Sequence, residues 1–364
     1  MNADAVQLPL EGMPRRLYSC TPSRLNAWLD CRRRYRFTYL DRPAPSKGPA
    51  WAHNSVGASV HNALAGWWRE PYERRTPLTA AILLTNGWIT EGFRDAEQSG
   101  RWLERARDLV SGYVATLDPA DDPVGVERTV ATRTKVIAVS GRIDRLDRRG
   151  DELVVVDYKT GRRPLTQDDA RSSLALAVYA VAASTMMRTP CRTVELHHLP
   201  TGEIVEWRHT EESLARHLGR AEDLATEAAA ADERYREAVA APPSRGRSSS
   251  SAPARPVTAP GGDRAAGGRS ATTPGGPAAG GGRSGTMPGG AAAGGGRSWG
   301  AVGGEWPSAP VERPSVGPAA VPAEIDELFA PNPGPICSWC DFRRHCPEGQ
   351  AAAPERRPWD ALAE

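Results

Sequence analysis

The sequence is poor in lysine, and its charge is almost balanced. Only three of the 46 lysine and arginine residues are lysines, namely Lys47, Lys135 and Lys159, and the formal net charge of the 364 residues is +2. A chain this close to neutral gives no argument from charge alone for a nucleic-acid partner. Because arginine is abundant, a single arginine carries little information, whereas a lysine at position 159 is informative.

Long apolar runs are also absent. The longest, LALAVYAVAASTMM at 174–187, is too short to span a hydrocarbon core of ~30 Å. Residues 1–16 lack the basic start and the apolar stretch of a signal peptide. We therefore expect a soluble cytoplasmic protein without a membrane partner. In that compartment its six cysteines are expected to be free or to bind metal rather than to form disulfides.

Glycine and proline are concentrated in residues 241–322, which also contain a crude repeat of GGRS. Such a segment has too few apolar groups to offset the entropy of ordering, so we predict a disordered linker. The rest of the chain divides into a flexible N-terminus (1–18), a folded domain (19–240), a C-terminal Cys-rich segment that completes this domain (323–350) and a flexible tail (351–364).

The folded domain begins with helical periodicity and then changes to strands rich in valine and isoleucine. Helices are predicted at 21–40, 54–70, 77–96, 101–117, 172–187 and 211–239, with a short helix at 324–329. Strands are predicted at 124–132, 135–147, 152–160, 193–200 and 203–210, the last two as a hairpin that turns at Thr201-Gly202. These elements indicate one α/β domain.

An acid and a lysine end the strand predicted at 152–160. Asp157 and Lys159 are two residues apart, so their side chains point to the same face of the strand. Upstream, Gly150-Asp151 favours a two-residue turn, and the resulting hairpin register places Asp144 directly opposite Asp157. Opposed β-carbons are ~5 Å apart, a distance at which two like charges destabilise the pair.

Two carboxylates are tolerated there only if one is protonated or a cation lies between them. A divalent ion with hard oxygen ligands, Mg²⁺ or Mn²⁺, suits the position, and Lys159 would face its water and an incoming anion. This arrangement indicates phosphodiester hydrolysis. The alternative is a surface hairpin with an ordinary Asp–Lys pair. The opposed Asp144, the valine run and the following Thr160-Gly161 favour the metal site.

Two of these segments, GRIDRLD (141–147) and VVDYKTG (155–161), resemble the nuclease domain of RecB-like exonucleases in the PD-(D/E)xK superfamily. Three further segments resemble the family's opening helix, histidine motif and Q-x-x-x-Y helix, in the family's order: SRLNAWLDCRRRYRFTYL (23–40), GASVHNAL (57–64) and LALAVYA (174–180). The resemblance spans residues 19–346 apart from the linker. It implies an α/β fold with a restriction-endonuclease-like core, that is, a mixed central sheet flanked by helices. N-terminal helical elements and a C-terminal Cys-rich staple would complete that core.

The resemblance also implies roles for individual residues. The implied Mg²⁺ or Mn²⁺ ligands are His61, Asp144 and Asp157, with the Tyr158 carbonyl as a further ligand. The other implied site residues are the catalytic lysine Lys159, an additional acid, Glu127, and Tyr179 on the DNA side of the site. Taken alone, His61 would be interpreted as a core histidine on an apolar helix face, and its place in the ordered set of motifs reverses that interpretation.

The sequence departs from the family pattern at one position. Where the family has glutamine four residues before the tyrosine, this chain has Ala175, on the same helix face as Tyr179. A polar contact on the substrate side is therefore missing. This departure bears on efficiency or substrate preference more than on metal binding.

Three cysteines near the C-terminus, Cys337, Cys340 and Cys346, lie within ten residues and need a fourth ligand to complete a metal site. The candidates for this ligand are Cys31, Cys20, Cys191 and His345. Three thiolates with one histidine would make a structural zinc site.

The resemblance selects differently among these ligands. In an iron–sulfur subset of such nucleases, including AddB-type and CRISPR-associated spacer-acquisition nucleases, one cysteine before the nuclease core and three after it hold a [4Fe–4S] cluster. Cys31 matches the first position, so the implied cluster ligands are Cys31, Cys337, Cys340 and Cys346. Zinc remains the alternative, and Cys20 and Cys191 are interpreted as ordinary buried or idle cysteines.

The predicted function is therefore that of a metal-dependent DNA nuclease, an exonuclease acting on single-stranded or duplex ends in repair or recombination. A non-catalytic DNA-binding scaffold on the same fold is the first alternative, and a CRISPR spacer-processing nuclease is the second. The sequence contains no G-x-x-x-x-G-K-[ST] motif, so any unwinding would come from a separate helicase.

Overall fold

The strand-like segments form a mixed sheet. In a computed structural model, which describes residues 17–240 and 322–362, its strands are β1 (Tyr18–Cys20), β2 (Gly125–Arg133), β3 (Ile137–Arg149), β4 (Glu152–Lys159), β5 (Cys191–His198) and β6 (Glu203–Arg208). The strand order is β1-β3-β4-β5-β6, and β2 also pairs with β3. The β1–β3 and β4–β5 pairs are parallel, and the other pairs are antiparallel. All five predicted strands are confirmed, whereas β1 was not predicted.

Helices flank this sheet, as the fold prediction requires. Their bounds are α1 (Pro22–Asp30), α2 (Arg32–Tyr39), α3 (Ala52–Arg69), α4 (Pro77–Asn86), α5 (Ala96–Val114), α6 (Gln167–Arg171), α7 (Leu174–Met187), α8 (Glu211–Ala240), α9 (Ala323–Leu328) and α10 (Pro347–Ala352). No helix in the described ranges has the length and apolar character needed to cross a membrane.

The single helix predicted at 21–40 is in fact two helices with Cys31 between them. Thr21 caps α1 and Pro22 occupies its first turn, as predicted. Cys31 then has an extended backbone, with φ −165° and ψ 115°. The break leaves no backbone group of Cys31 unpaired, because its N–H donates to the Ala27 carbonyl and its own carbonyl accepts from Tyr35. The interruption turns the chain direction at the one cysteine of this region.

The valine run of β4 lies between two layers of helices. Val154, Val156 and Tyr158 face a core built from α3, α4 and α5. Leu153 and Val155 alternate with them and face a second core against α7. A strand covered on both faces is expected to be apolar at nearly every position, which explains why β4 reads as a continuous run rather than an alternation. The polar residue Asp157 appears only where the strand leaves this cover.

The C-terminal segment packs against the N-terminal helices. Phe329, just after α9, is fully buried and its ring lies 5.9 Å from Trp28 and 6.0 Å from Tyr235, measured between ring centroids. Ile325 on α9 joins the same core, to which α1 and α8 also contribute. Residues more than 80 positions away in the sequence therefore bury apolar surface that α1 and α8 would otherwise expose.

The prediction of a flexible tail at 351–364 is wrong for the described residues of that range. Leu362 is buried in the core of α3, α4 and α5, and its carbonyl accepts a hydrogen bond of 3.2 Å from Trp102 Nε1. The Pro358 carbonyl accepts from the backbone N–H of Ala52. Apolar side chains of this range, Trp359 and Leu362, pack into that core. Local composition does not reveal such a contact with distant helices. The linker predicted at 241–322 lies, except for Pro322, outside the described residues, as do residues 1–16.

Candidate active site

The β3–β4 hairpin has the predicted register. Gly150 takes the left-handed backbone conformation required in the turn, with φ +59°, and Arg149 pairs with Glu152. The antiparallel pairing continues to Arg145 and Val156, so the next position brings Asp144 opposite Asp157. Asp144 Oδ2 accepts a hydrogen bond of 2.9 Å from the backbone N–H of Tyr158, which holds this carboxylate at the strand end.

Asp157 and Lys159 share one face of β4, as their spacing predicts. Lys159 Nζ forms an ion pair with Asp157 Oδ2, an oxygen that is itself buried. Burial raises the pKa of Asp157, and the negative charge of Asp144 adds to this effect while Lys159 opposes it. The structure therefore contains the repulsion between Asp144 and Asp157 that the hairpin register implies.

His61 joins the two carboxylates from α3. Its Nδ1 lies 3.3 Å from Asp144 Oδ1, and its Nε2 lies 3.2 Å from the Tyr158 carbonyl oxygen. Both ring nitrogens thus face acceptors, an arrangement that only the doubly protonated imidazolium satisfies. Burial lowers the pKa of His61, but the hydrogen bond and charge of Asp144, with the charges of Asp157 and Glu127, raise it overall. A cation among these oxygens would replace that proton.

Glu127 approaches the same point from β2. It lies opposite Asp144 at a position where the β2–β3 pairing is interrupted, and its φ is +49°, an unusual value for a residue other than glycine. Donor atoms of His61, Glu127 and Asp144 all lie within 4.8 Å of one another. A backbone outlier that aims an acid at a cluster of ligands is the kind of local strain found at functional sites.

The donor set fits a hard divalent cation. It combines two carboxylates and one imidazole, beside the Tyr158 carbonyl, and oxygen-rich sets of this kind suit Mg²⁺ or Mn²⁺. Asp157 is not a member of the 4.8 Å group, because its carboxylate is turned toward Lys159. The structure therefore brings together His61, Asp144 and the additional acid Glu127, with Asp157 next to them at the end of β4.

The two residues of α7 noted in the sequence lie on the same side of the sheet. A β-carbon at Gly141 would be 2.3 Å from the Tyr179 ring, so glycine at this position of β3 makes room for the tyrosine. Burial raises the pKa of Tyr179, with a further contribution from the charges of Asp157 and Asp144, which places the phenol near both acids. Ala175 lines a pocket of about 420 Å³ together with Asp157 and Lys159.

A buried polar network surrounds the Tyr158 side chain, on the face of the sheet that α3, α4 and α5 cover. The Tyr158 hydroxyl accepts a hydrogen bond of 3.1 Å from Trp68 Nε1, and Arg145 donates to it at 3.5 Å. Arg145 also pairs with Asp147 at 2.9 Å and lies over the Trp68 ring. This network therefore holds the Tyr158 side chain, while the Tyr158 backbone N–H donates to Asp144 and its carbonyl faces His61.

The network continues along β5. The Tyr113 hydroxyl oxygen lies 2.7 Å from His197 Nδ1, and His197 Nε2 lies 2.9 Å from a carboxylate oxygen of Glu195. Arg149 binds the Glu195 carboxylate with both terminal nitrogens. Sequence reasoning missed these residues. The available signal was the placement of Glu195 and His197 at alternate positions of a strand predicted from the apolar residues between and beside them.

The cysteines separate into two groups. Cys31, Cys337, Cys340 and Cys346 line one cavity between the α1–α2 junction and the C-terminal segment. Backbone N–H groups point to three of the sulfurs, with Asn332 N 3.5 Å from Cys31 Sγ. Cys20 and Cys191 are buried in separate cores, and His345 Nε2 lies 3.0 Å from the Ser46 carbonyl, away from the cavity lining.

The comparison with protein families agrees with the fold. The sequence matches the family model of the PD-(D/E)XK nuclease superfamily over residues 19–257. The chain belongs to this superfamily. Membership supports a metal-dependent nuclease with DNA as its substrate, and the His61, Glu127 and Asp144 cluster provides a carboxylate–histidine site for the metal. No curated protein matches the sequence.

Replacing His61 with alanine removes the one nitrogen donor of this nuclease site. We expect His61→Ala to weaken Mn²⁺ binding, measured by isothermal titration calorimetry, by about ten-fold or more. His217→Ala on α8, outside the donor cluster, is the matched control and should retain the affinity of the unmodified protein. Equal Mn²⁺ affinity in all three proteins would return His61 to the role of a core histidine.

The ionised Glu195 carboxylate should make the stability of the folded protein sensitive to acid. Burial raises its pKa, but hydrogen bonds to His197 and Arg149 outweigh burial and lower the pKa to about 2, below the ordinary value of 4.5. The stabilisation is therefore fully present above pH 4.5 and is lost as the pH falls toward 2. It amounts to on the order of 3 kcal/mol.

The test compares the free energy of unfolding of Glu195→Gln and the unmodified protein by urea denaturation between pH 7 and 3. The difference between the two proteins should be largest at neutral pH and should shrink below pH 4.5. Glu104→Gln, an exposed residue of α5, should show no such trend. A difference that stays constant with pH would contradict the lowered pKa of Glu195 in the folded protein.

Proposed function

We propose that this protein is a cytoplasmic, metal-dependent DNA exonuclease of the RecB-like type that acts on strand ends in repair or recombination. The nuclease domain consists of the predicted residues 19–240, completed by the segment predicted at 323–350 and by the packed residues that follow it up to Leu362. The observation that carries the proposal is the cluster of His61, Glu127 and Asp144 beside Asp157 and Lys159. This donor set, at the end of a buried strand, supports both metal binding and phosphate chemistry.

The proposed roles follow from the positions of the side chains. A divalent ion, when bound, supplies Lewis-acid activation of water and phosphate. His61, Asp144 and Asp157 would hold it, with Glu127 as an additional acid and the Tyr158 carbonyl as a further ligand. Lys159 Nζ, next to Asp157, would orient the attacking water and balance charge on the scissile phosphate. Tyr179 would contact the DNA.

We further propose that Cys31, Cys337, Cys340 and Cys346 hold a [4Fe–4S] cluster. Their common cavity supports this ligand set, and the other fourth ligands considered from the sequence lie elsewhere. Structural zinc bound by the same four sulfurs is the alternative.

Such a cluster would act as a staple. Cys31 lies between α1 and α2, and the other three ligands lie in the C-terminal segment. A bond network through iron would therefore tie the opening helices to the segment that follows the long interval after α8. Arg33 already pairs with Asp326 at 2.8 Å and with Glu348 at 3.2 Å across the same junction.

Ala175 gives one reason to consider a scaffold that binds DNA without cleaving it. It lines the pocket of Asp157 and Lys159 at the position where the related nucleases have glutamine. A scaffold of this type would work with a separate helicase. Retention of Asp144, Asp157 and Lys159 favours the enzyme, because a scaffold has no need for a buried carboxylate pair. A CRISPR spacer-processing role rests on the same residues.

Lys159→Ala is the first test of the proposed activity. We expect the unmodified, anaerobically purified protein to degrade end-labelled DNA in the presence of Mg²⁺ or Mn²⁺. The variant should be slower by roughly 10²–10⁴-fold, since a positioned charge at the reacting phosphate is removed. Lys135→Ala, in the exposed turn between β2 and β3, is the matched control and should cleave normally.

The DNA substrates separate the remaining alternatives. Linear single and double strands that are degraded while circular single strands persist would identify an exonuclease. Cleavage of circles would identify an endonuclease and contradict this part of the proposal. Metal-independent DNA binding without cleavage, alike in the unmodified protein and Lys159→Ala, would favour the scaffold.

Cys31→Ser and Cys340→Ser test the cluster. Each should abolish the broad visible absorption of an iron–sulfur protein, lower its iron and sulfide content and decrease the thermal stability. Cys191→Ala, a buried cysteine outside the cavity, should keep the iron. Zinc in place of iron in the anaerobically purified protein, measured by elemental analysis, would identify a structural zinc site instead.

A further inference from the structure

A groove rich in arginine lies next to the catalytic pocket. Its volume is about 480 Å³, and it is bounded by α6, the end of β6 and the first turns of α8. The lining includes four arginines, Arg171, Arg208, Arg216 and Arg220, together with His217, and none of the lining residues is acidic. A groove with this lining attracts anions.

Two of these arginines have no hydrogen-bond or ion-pair partner within the described part of the chain. Arg208 binds Glu152, and Arg171 pairs with Asp168 at 2.8 Å. Arg216 and Arg220, by contrast, form neither a hydrogen bond nor an ion pair with any described residue, and both are exposed. They are four residues apart on α8, so they lie on the same helix face about 5–6 Å apart at their β-carbons. Two neighbouring guanidinium groups can thus bind a ligand.

The groove adjoins the pocket that contains Asp157 and Lys159. Ser172 lines the groove, and Ser173, the next residue, lines the pocket. Consecutive Cα atoms are ~3.8 Å apart, so the turn between α6 and α7 contributes to the walls of both spaces. A DNA strand whose scissile phosphate lies beside Lys159 would reach the groove within a few nucleotides.

We propose that Arg216 and Arg220, with Arg171 at the groove edge, bind backbone phosphates of the DNA strand near the phosphate that is cleaved. The inference rests on the proposed nuclease function and adds a second contact region for its substrate. The planar guanidinium fork matches phosphate oxygens. Contacts of this kind fix the position of a strand without reading its sequence. The groove therefore favours strands long enough to extend beyond the pocket, regardless of sequence.

The double variant Arg216→Ala/Arg220→Ala tests this contact region. The control is Arg234→Ala/Arg236→Ala, which removes the same charge from exposed positions near the other end of α8. Cleavage of single strands of about 4 and 20 nucleotides is measured between 50 and 200 mM salt, and thermal unfolding verifies that both variants fold.

In the groove variant, the ratio of kcat/KM for the long strand to that for the short strand should fall about ten-fold. The slope of log affinity for the long strand against log salt should decrease by roughly 1.4, or ~0.7 for each phosphate of the single strand that the variant no longer binds. The control variant should keep the ratio and the slope of the unmodified protein.

The outcomes distinguish this inference from the proposed function. If the unmodified protein cleaves DNA and the groove variant keeps the same ratio and slope, the groove inference fails and the nuclease remains. If the unmodified protein cleaves no DNA, the proposed function fails. Equilibrium binding to the long strand then still tests the groove, through the slope of log affinity against log salt. An equal slope in the groove variant and the unmodified protein would contradict phosphate binding in the groove.

Discussion

The arrangement of the site depends on two like charges placed at opposed positions of one hairpin. Asp144 and Asp157 meet because of the register of the β3–β4 pairing, and neighbouring groups compensate their repulsion. Lys159 pairs with one carboxylate, while His61 and the Tyr158 N–H contact the other. The position of α3, the buried network behind Tyr158 and the unusual backbone of Glu127 all serve to hold polar groups around this pair. A hairpin shifted by one residue would separate the acids onto different faces.

The sequence was sufficient to predict this hairpin and its faces because both follow from local rules. The Gly150-Asp151 turn set the register, and the period of two placed Asp157 beside Lys159. Features that depend on distant contacts were not predictable in this way. The conformation of Glu127, the burial of Leu362 and the partners of Glu195 each involve residues from other elements. The break at Cys31 escaped prediction for a related reason, since helical spacing continues on both sides of it.

The cysteines show how far spacing alone can go. Three thiols within ten residues predicted a metal site, but spacing left the fourth ligand open among Cys31, Cys20, Cys191 and His345. The choice depends on where the C-terminal segment returns to the domain, and that position is set by the packing of Phe329 and Ile325 on α1 and α8. Hydrophobic contacts thus bring the C-terminal cysteines to the cavity that Cys31 also lines.

The return of the C-terminal segment also bears on how the protein is made. The ribosome synthesises Cys31 about 300 residues before Cys337, a delay on the order of half a minute at typical rates of elongation. Until Phe329 has been synthesised, the surfaces of α1 and α8 that receive it stay uncovered. Chains that terminate before Phe329 therefore present an unfinished core. Proteases and chaperones meet a nascent chain with exposed apolar surface, and the complete domain forms only after the final segment has left the ribosome.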